Sequence, residues 1–150
     1  MQLTIGKIGQ ESAHQLAPLI AAYAQEMRRG APRRPDEYYA ELLLADPTAE
    51  LLGARSDGAL VGFAIFFDLP ETITGHRAGQ IDDIYVAPSA RDHGVGRRMI
   101  EQLVEIGRTR EWAHLRWLVP ETNTAAIGLY EQIAKPAPWK SYSIPIHERR

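Results

Sequence analysis

The stretch IDDIYVAPSARDHGVGRRM, which spans Ile81–Met99, determines how the rest of the chain can be arranged. Its first six residues are rich in β-branched and aromatic side chains. A period of two places Asp82, Ile84 and Val86 on one face of a strand. Pro88 then breaks the pattern and predicts the end of that strand.

An amphipathic helix is expected to follow. Its apolar residues recur at helical spacing, at Val95, Met99, Ile100, Leu103, Val104 and Ile106. Gly94 and Gly96 stand at its start, where small residues let a ligand approach the backbone and free amides attract anions. Arg97 and Arg98 add positive charge. The stretch therefore predicts a phosphate site that follows directly on a strand.

The composition restricts the classes of function. A chain of 150 residues suits a single domain over residues 1–150. The net charge of −2 gives no general case for nucleic-acid or membrane binding, and the absence of cysteine excludes disulfides, thiolate metal ligands and a cysteine nucleophile. Met1–Gln10 is too polar for a signal peptide, and no apolar run approaches the roughly 20 residues of a membrane span. We expect a cytoplasmic protein without nucleic-acid or membrane partners.

The N-terminal third predicts a strand and two helices. The strand is expected around Ile5, and the first helix from Glu11 to about Gly30. Ala31–Pro35 is a connector whose proline suits the first position of a second helix, Asp36–Ala45. Four acidic residues cluster around these helices: Glu26, Asp36, Glu37 and Glu41. They form either an ordinary solvated surface or a lip that attracts a cationic substrate.

The middle of the chain predicts a hairpin that leads into the central stretch. Glu50–Arg55 and Leu60–Phe67 are expected to be strands joined at Asp57-Gly58, a strong hairpin signal. Leu60–Phe67 is nearly all apolar, so it should lie centrally in the sheet. Leu69–Gly79 predicts a polar loop that returns to the strand beginning at Ile81.

The C-terminal third predicts two further strands and a helix. His114–Val119 is expected to be a strand, and a helix capped by Thr122 or Asn123 should extend to Ile133. Trp139–Ile146 alternates in the manner of a last strand. The outcome is one α/β domain with a mostly antiparallel sheet.

Two common nucleotide motifs do not fit the glycines. A dinucleotide fingerprint requires a third glycine where the chain has Met99, and an acidic residue after the next strand. A P-loop requires Gly-Lys-Ser/Thr, whereas Gly96 is followed by arginines. What remains is Arg-x-x-Gly-x-Gly after a strand that ends Val-x-Pro.

At these residues the chain resembles the GNAT superfamily of N-acetyltransferases, whose acyl-CoA motif is Gln/Arg-x-x-Gly-x-Gly/Ala. Arg91, Gly94 and Gly96 occupy its three defined positions. The family's Asn-x-x-Ala-x-x-x-Tyr motif is matched at Asn123, Ala126 and Tyr130. The resemblance implies about six to seven strands flanked by about four helices, acetyl-CoA as cosubstrate and a homodimer.

Three short strings resemble the branch of spermidine/spermine and thialysine acetyltransferases: Val61–Ala64, Ile81–Val86 and Leu115–Val119. In that branch an acidic pair precedes the CoA loop, as Asp82 and Asp83 do here. The resemblance implies acetyl transfer to a primary amine of a small polyamine-like or lysine-like molecule. A protein amine as acceptor, or a non-catalytic acyl-CoA-binding regulatory module, remains an alternative.

The resemblance assigns the pyrophosphate to the amides of Asp92–Arg97, and the pantetheine arm to the backbone of Ile84–Val86. Asn123 either bonds to the pantetheine or caps its helix. The residues assigned to the cosubstrate are Ile84, Tyr85, Val86, Arg91, Asp92, His93, Gly94, Val95, Gly96, Arg97, Arg98, Asn123, Ala126 and Tyr130.

The acceptor amine must lose a proton before it attacks. Asp82, at the family's acidic position, is the first candidate for the base, and Asp83 is the second. Both could instead be structural carboxylates. Tyr130 matches the residue that protonates the leaving thiolate, although a tyrosine on an amphipathic helix can also belong to the core. The five histidines lack metal-ligand spacing, so we expect no metal.

The chain departs from the family pattern at two places. Asp92 stands where glycine is most frequent, and aspartate tolerates left-handed backbone better than most residues. After Tyr130, Ala134-Lys135 replaces the usual Gly-Phe.

Overall fold

The computed structural model describes residues 2–27 and 36–147, and within them five strands and four helices. They are β1 Leu3–Lys7, α1 Ala13–Glu26, α2 Glu37–Ala45, β2 Glu50–Ser56, β3 Ala59–Pro70, β4 Arg77–Val86, α3 Val95–Arg110, β5 Trp112–Trp117 and α4 Thr124–Ile133. The chain divides into two units: residues 1–117, with the sheet and α1–α3, and residues 118–150, with α4.

The sheet confirms the mixed, mostly antiparallel architecture. The strands lie in the order β1-β2-β3-β4-β5, and only β4 and β5 are parallel. The apolar strand β3 occupies the centre, as its composition predicts. The sheet has five strands in the described residues, fewer than the six to seven expected.

Two hairpins join β2, β3 and β4, and β1 pairs with β2 after the intervening helices. Asp57 and Gly58 both have positive φ, 50° and 89°, as a two-residue hairpin turn requires. The predicted loop Leu69–Gly79 is wrong in its bounds, because β3 and β4 remain paired as far as Pro70 opposite Arg77. Ladder hydrogen bonds satisfy the backbone of these polar residues as well as that of apolar ones.

β3 presents alternate residues to two helical layers. A Cβ on Gly62 would lie 3.4 Å from the Met99 side chain, so Gly62 and the residues two and four positions later face α3. Phe63 faces the other way and belongs to the same buried cluster as Leu16 of α1. The largest fully buried apolar side chains of the two layers are Phe63, Phe66, Leu16, Leu52, Met99, Leu103 and Val95.

A β-bulge interrupts β4 at Asp82. Asp83 lies opposite Ile65, but Ile81 lies opposite the adjacent residue, Phe66, so Asp82 has no partner in β3. Opposite residues of an antiparallel pair share a face, so Asp83 faces α1 and Ile81 faces α3. The sequence places Asp82 on one face by assuming that side chains alternate regularly along the strand. The bulge interrupts that alternation at Asp82. Sequence periodicity contains no signal for it.

Trp112 packs between a strand and a helix. A Cβ on Gly79 of β4 would lie 2.2 Å from the indole, and one on Gly107 of α3 would lie 2.6 Å from it. The ring also meets Phe66 at 6.1 Å between centroids. β5 therefore begins at Trp112, two residues before the predicted His114.

The helices largely match their predictions. α3 has the bounds that its apolar periodicity indicates, and Asp36 caps α2 by accepting a hydrogen bond from the Tyr39 amide at 3.0 Å. α1 begins at Ala13, after a 3-10 turn over Gln10–Ser12. The predicted helix end near Gly30 and the connector with Pro35 lie outside the described residues. In the described part of the chain, no helix is long and apolar enough to cross a membrane.

An ion-pair network fixes the last turn of α3 to the sheet. Arg110 contacts the carboxylates of Glu50, at 2.6 Å, and Asp68, at 3.1 Å. Hydrogen bonding from Arg110 lowers the pKa of Glu50 to about 2 against the opposing effect of burial. The network ties α3 to β2 and β3.

The second unit contains one helix, and its described residues after that helix form no regular secondary structure. The predicted strand Trp139–Ile146 is wrong, since the structure assigns no strand to any described residue after β5. The segment holds Pro138 and Pro145, which lack the N–H that a ladder needs. Its large apolar residues are exposed: Trp139, Tyr142, Ile144 and Ile146.

Candidate functional site

The C-terminal end of β4 has an open edge. The ladder between β4 and β5 ends where Ile81 lies opposite Trp117, so the following residues of β4 have no strand on that side in the described sheet. On the other side the Ala87 amide donates to the Val61 carbonyl of β3 at 2.8 Å. The Val86 carbonyl and the Ala87 N–H belong to the same peptide group and point in opposite directions. The carbonyl therefore points to the open edge. This edge can form hydrogen bonds with an extended ligand.

The turn after β4 has the backbone that an anion site requires. Asp92 and Gly94 have positive φ, 66° and 73°. The prediction that Asp92 tolerates left-handed backbone is thus confirmed. Gly94 is the N-cap of α3, and no side chain of the described residues caps that helix. The first amides of α3, from Val95 onward, therefore remain available to an anion.

The residues predicted for the phosphate side lie together around this turn. Asp92, His93, Arg97 and Arg98 are exposed, whereas Val95 is buried beneath them. Asp92 brings the one carboxylate in the turn, which opposes anion binding.

Changing Asp92 to glycine is expected to increase the affinity of this turn for inorganic pyrophosphate about threefold without loss of stability. Glycine adopts positive φ freely, and the change removes a carboxylate from the anion site. Isothermal titration with inorganic pyrophosphate at two salt concentrations measures the effect, which should shrink at high salt. Gly94→Ala is the matched control for stability, because it makes the opposite change at another residue with positive φ. Its new Cβ would meet nothing within 4 Å, so only backbone strain of about 1 kcal/mol should lower its unfolding free energy. Weaker pyrophosphate binding by the Asp92→Gly variant would show that the Asp92 carboxylate assists the site.

The two adjacent aspartates occupy different environments. Asp83 is half-buried, and its Oδ1 accepts a hydrogen bond of 2.8 Å from the Tyr23 hydroxyl of α1. Asp82, at the bulge, is exposed. The carboxylate of Asp83, the second candidate base, is thus held by a hydrogen bond. The carboxylate of Asp82, the first candidate, is open to solvent.

An aromatic cluster underlies this face of β4. The ring of Tyr23 lies 5.8 Å from that of Phe63 and 5.6 Å from that of Tyr85. Burial raises the pKa of Tyr85, and the neighbouring Glu26 carboxylate raises it further. Tyr85 therefore stays protonated at neutral pH.

Arg91, predicted on the phosphate side, makes its contacts elsewhere. Its Nη2 lies 2.6 Å from Glu26 of α1, and its Nε donates to the Val86 carbonyl at 2.9 Å. The guanidinium lies 5.5 Å from the centre of the Tyr85 ring. A surface groove is lined by Ala22, Gln25, Glu26, Tyr85 and Pro88.

The second motif lies in the second unit. Asn123 caps α4 by accepting a hydrogen bond of 3.2 Å from the Ala126 amide, which supports the capping alternative. Burial raises the pKa of Tyr130, so its phenol stays protonated at neutral pH.

Sequence reasoning missed Tyr23 as a site residue. The apolar period of the first helix assigns Tyr23 only to the buried side of that helix. Its contact with Asp83 depends on how that helix crosses the sheet, which a single sequence does not show. Glu26 carried a weak signal as part of the acidic cluster. Among the described residues, no group of three or more histidine, cysteine, aspartate or glutamate side chains could hold a metal ion.

Comparisons with known proteins agree with this geometry. The Acetyltransferase (GNAT) family profile matches residues 16–134, a range that includes parts of both units. A crystal structure of ribosomal-protein-alanine N-acetyltransferase from Brucella melitensis biovar Abortus 2308 is 47% identical, with a TM-score of 0.88, and the match covers 97% of this chain and 100% of that one.

Two curated proteins are similar at lower identity. N-alpha-acetyltransferase RimI of Mycobacterium tuberculosis is 31% identical over 87% of this chain and 77% of its own length. Thialysine N-epsilon-acetyltransferase of Mus musculus is 31% identical over 55% of this chain and 50% of its own. The chain thus matches about half the length of the thialysine enzymes. These matches support the resemblance to their branch. With its open β4 edge, its uncapped α3 and these relatives, the chain belongs to the GNAT family of N-acetyltransferases.

Proposed function

We propose that this protein transfers an acetyl group from acetyl-CoA to a primary amine, and that the acceptor is a small polyamine-like or lysine-like molecule. One observation carries the proposal: the open edge of β4 leads directly into the uncapped N-terminus of α3. A strand edge suits the amide-bearing pantetheine arm, and a helix N-terminus suits the pyrophosphate. GNAT acetyltransferases use acetyl-CoA as cosubstrate, which supplies an acetyl group activated as a thioester.

The residues around the turn would divide the binding of the cosubstrate among them. The amides from Asp92 to Arg97 would hold the pyrophosphate, and Arg98 would add charge. The backbone of Ile84–Val86 would pair with the pantetheine and place an N–H near the thioester carbonyl. Asn123 caps its helix through Oδ1, and its side-chain nitrogen is the group that would bond to the pantetheine.

The reaction forms a carbon–nitrogen bond, breaks the carbon–sulfur bond and releases CoA as a thiol. An alkyl ammonium has a pKa of about 10.4 in water, so it must give up a proton to become a nucleophile. Asp82 is the proposed base, because it is exposed and no hydrogen bond to its carboxylate occurs within the described residues. Asp83 is the second candidate, since Tyr23 already engages one of its oxygens. Tyr130 is the proposed acid that protonates the sulfur.

Changing Asp82 to asparagine is expected to lower kcat/KM about 100-fold at neutral pH. The loss should shrink as the pH approaches about 10, because more of the amine is then deprotonated without help. A pH–rate profile of CoA thiol release measures this dependence. Asp83→Asn is the matched control and should act through the Tyr23 contact, with a loss that does not vary with pH. A pH-dependent loss in Asp83→Asn alone would transfer the role to Asp83.

An amine at a protein N-terminus is the second candidate acceptor. The 47% identical structure is that of a ribosomal-protein-alanine N-acetyltransferase, whereas the mouse relative is named for thialysine. A panel that contains diamines, lysine analogues and alanine-terminated peptides separates the two classes through CoA release. An α-amine, with a pKa of about 7.7–8.0, needs less assistance from a base at neutral pH than a side-chain amine does.

A non-catalytic acyl-CoA-binding module is the competing class. Such a protein would bind acetyl-CoA but release no thiol with any amine of the panel. A cytoplasmic homodimer completes the proposal. Light scattering of the purified protein measures the oligomeric state directly.

A further inference from the structure

Arg91 is unusual among the arginines near the anion turn, because its side chain makes three contacts and all are on the side of β4 and α1. The contacts reach the Val86 carbonyl, the Glu26 carboxylate and the Tyr85 ring. Arg97, by contrast, has no ion pair or side-chain hydrogen bond within the described residues.

The first contact lies at the open edge of β4. The Val86 carbonyl points away from β3, so it would otherwise be free to pair with a ligand, and Arg91 already occupies it. Arg91 thus ends the open edge at a defined residue. A ligand that pairs with this strand must do so through the peptide groups before that carbonyl.

The second and third contacts fix this end of β4 to α1. The ion pair with Glu26 is exposed, so it contributes little by itself. Combined with the Val86 hydrogen bond and the Tyr85 ring, however, it makes a three-point attachment. Arginine can form it because a planar guanidinium offers several donors in fixed directions and stacks on aromatic rings.

We propose that Arg91 is a positioning residue, which fixes the cosubstrate-binding edge of β4 to α1 instead of binding phosphate through its side chain. The inference rests on the proposed function, since it assigns Ile84–Val86 to the thioester. A reacting group held loosely by about 1 Å loses much of its rate, so a freed strand end should affect turnover more than affinity. Phosphate binding is left to the helix amides, Arg97 and Arg98.

The kinetic test compares Arg91→Ala with Arg97→Ala. For Arg91→Ala we expect kcat to fall about tenfold while the Kd for acetyl-CoA, measured by calorimetry, stays within threefold. For Arg97→Ala we expect the reverse, a Kd raised several-fold with kcat retained. Weaker acetyl-CoA binding by Arg91→Ala with unchanged kcat would overturn the proposal and make Arg91 a phosphate ligand.

Two further variants separate geometry from charge. Glu26→Gln should lower kcat less than Arg91→Ala does, and the double variant should be no worse than Arg91→Ala, because both changes act through one attachment. Arg91→Lys keeps the charge but cannot reach the carbonyl and the carboxylate together, so kcat should recover only in part. Full recovery by lysine would overturn the proposal. Glu105→Gln, which breaks another exposed glutamate–arginine pair on α3, is the control and should match the wild type.

Hydrogen exchange in the free protein tests the attachment without turnover. Arg91→Ala should speed exchange at the Ala87 amide, which bonds to β3 just after the strand end, at least tenfold. An unchanged exchange rate at the Ala87 amide would overturn the proposal even if Arg91→Ala had a reduced kcat. A wild-type protein that acetylates no amine would instead refute the proposed function, and the exchange result would still decide the role of Arg91.

Discussion

Replacing Tyr130 with phenylalanine is expected to lower kcat about 100-fold while the affinity for acetyl-CoA changes less than twofold. A positioned general acid contributes at least this much, and the loss of one hydroxyl leaves the ring and its packing in place. Steady-state kinetics of thiol release with calorimetry of acetyl-CoA binding separate the two effects. Tyr142→Phe is the matched control in the same unit, because that side chain is 87% exposed. An unchanged kcat would leave Tyr130 with a packing role only.

The pH dependence of this residue follows from its surroundings. Burial raises the pKa of Tyr130 above its usual value of about 10. An acid with a raised pKa keeps its proton as the pH increases, so Tyr130 should cause no decline of kcat below about pH 10. The ratio of wild-type to Tyr130→Phe activity should therefore be flat from about pH 6 to 9. A ratio that falls across this range would mean that another group loses the essential proton.

Changing Gly79 to alanine is expected to lower the free energy of unfolding by about 3 kcal/mol and the melting temperature by about 10 °C. The new Cβ would lie 2.2 and 2.4 Å from two ring carbons of Trp112, and the indole cannot retreat freely because Gly107 lies against it as well. Denaturant titration followed by tryptophan fluorescence measures the loss.

Gly6→Ala is the control for this prediction. Gly6 also lies in a strand, but a Cβ there would meet nothing within 4 Å, so its effect should stay within about 0.5 kcal/mol. A double variant, Gly79→Ala with Trp112→Leu, should show non-additive losses, because the smaller side chain removes the clash. Equal melting of Gly79→Ala and wild type would mean that Trp112 shifts at no cost.

Local patterns predicted the elements that depend on local signals. The bounds of α3 followed from a sustained apolar period, and the turn at Asp57-Gly58 followed from backbone preferences that those two residues carry themselves. The positive φ of Asp92 belongs to the same class. Each of these features is determined by residues within one helical turn or one hairpin.

The features that depend on distant partners could not be predicted in the same way. An alternating pattern in Trp139–Ile146 suggested a strand, but a strand exists only where a second strand supplies hydrogen bonds. The contacts of Tyr23 and Arg91 require the packing of α1 on the sheet, and the sequence alone placed Arg91 on the phosphate side. The motifs therefore located the candidate site but not the neighbours of each side chain in it.

The bulge at Asp82 has a consequence for the whole of β4. Gly79 and Tyr85 are six residues apart, an even number, so a regular strand would turn both to the same side. Gly79 must meet Trp112 on the α3 side, whereas Tyr85 must meet the aromatic cluster on the α1 side. The bulged residue Asp82 shifts the side-chain alternation of β4 by one position, so that both contacts can form. Deleting Asp82 would leave Gly79 and Tyr85 five residues apart, an odd number, so a regular strand without the bulge would still turn Gly79 to Trp112 and Tyr85 to the aromatic cluster.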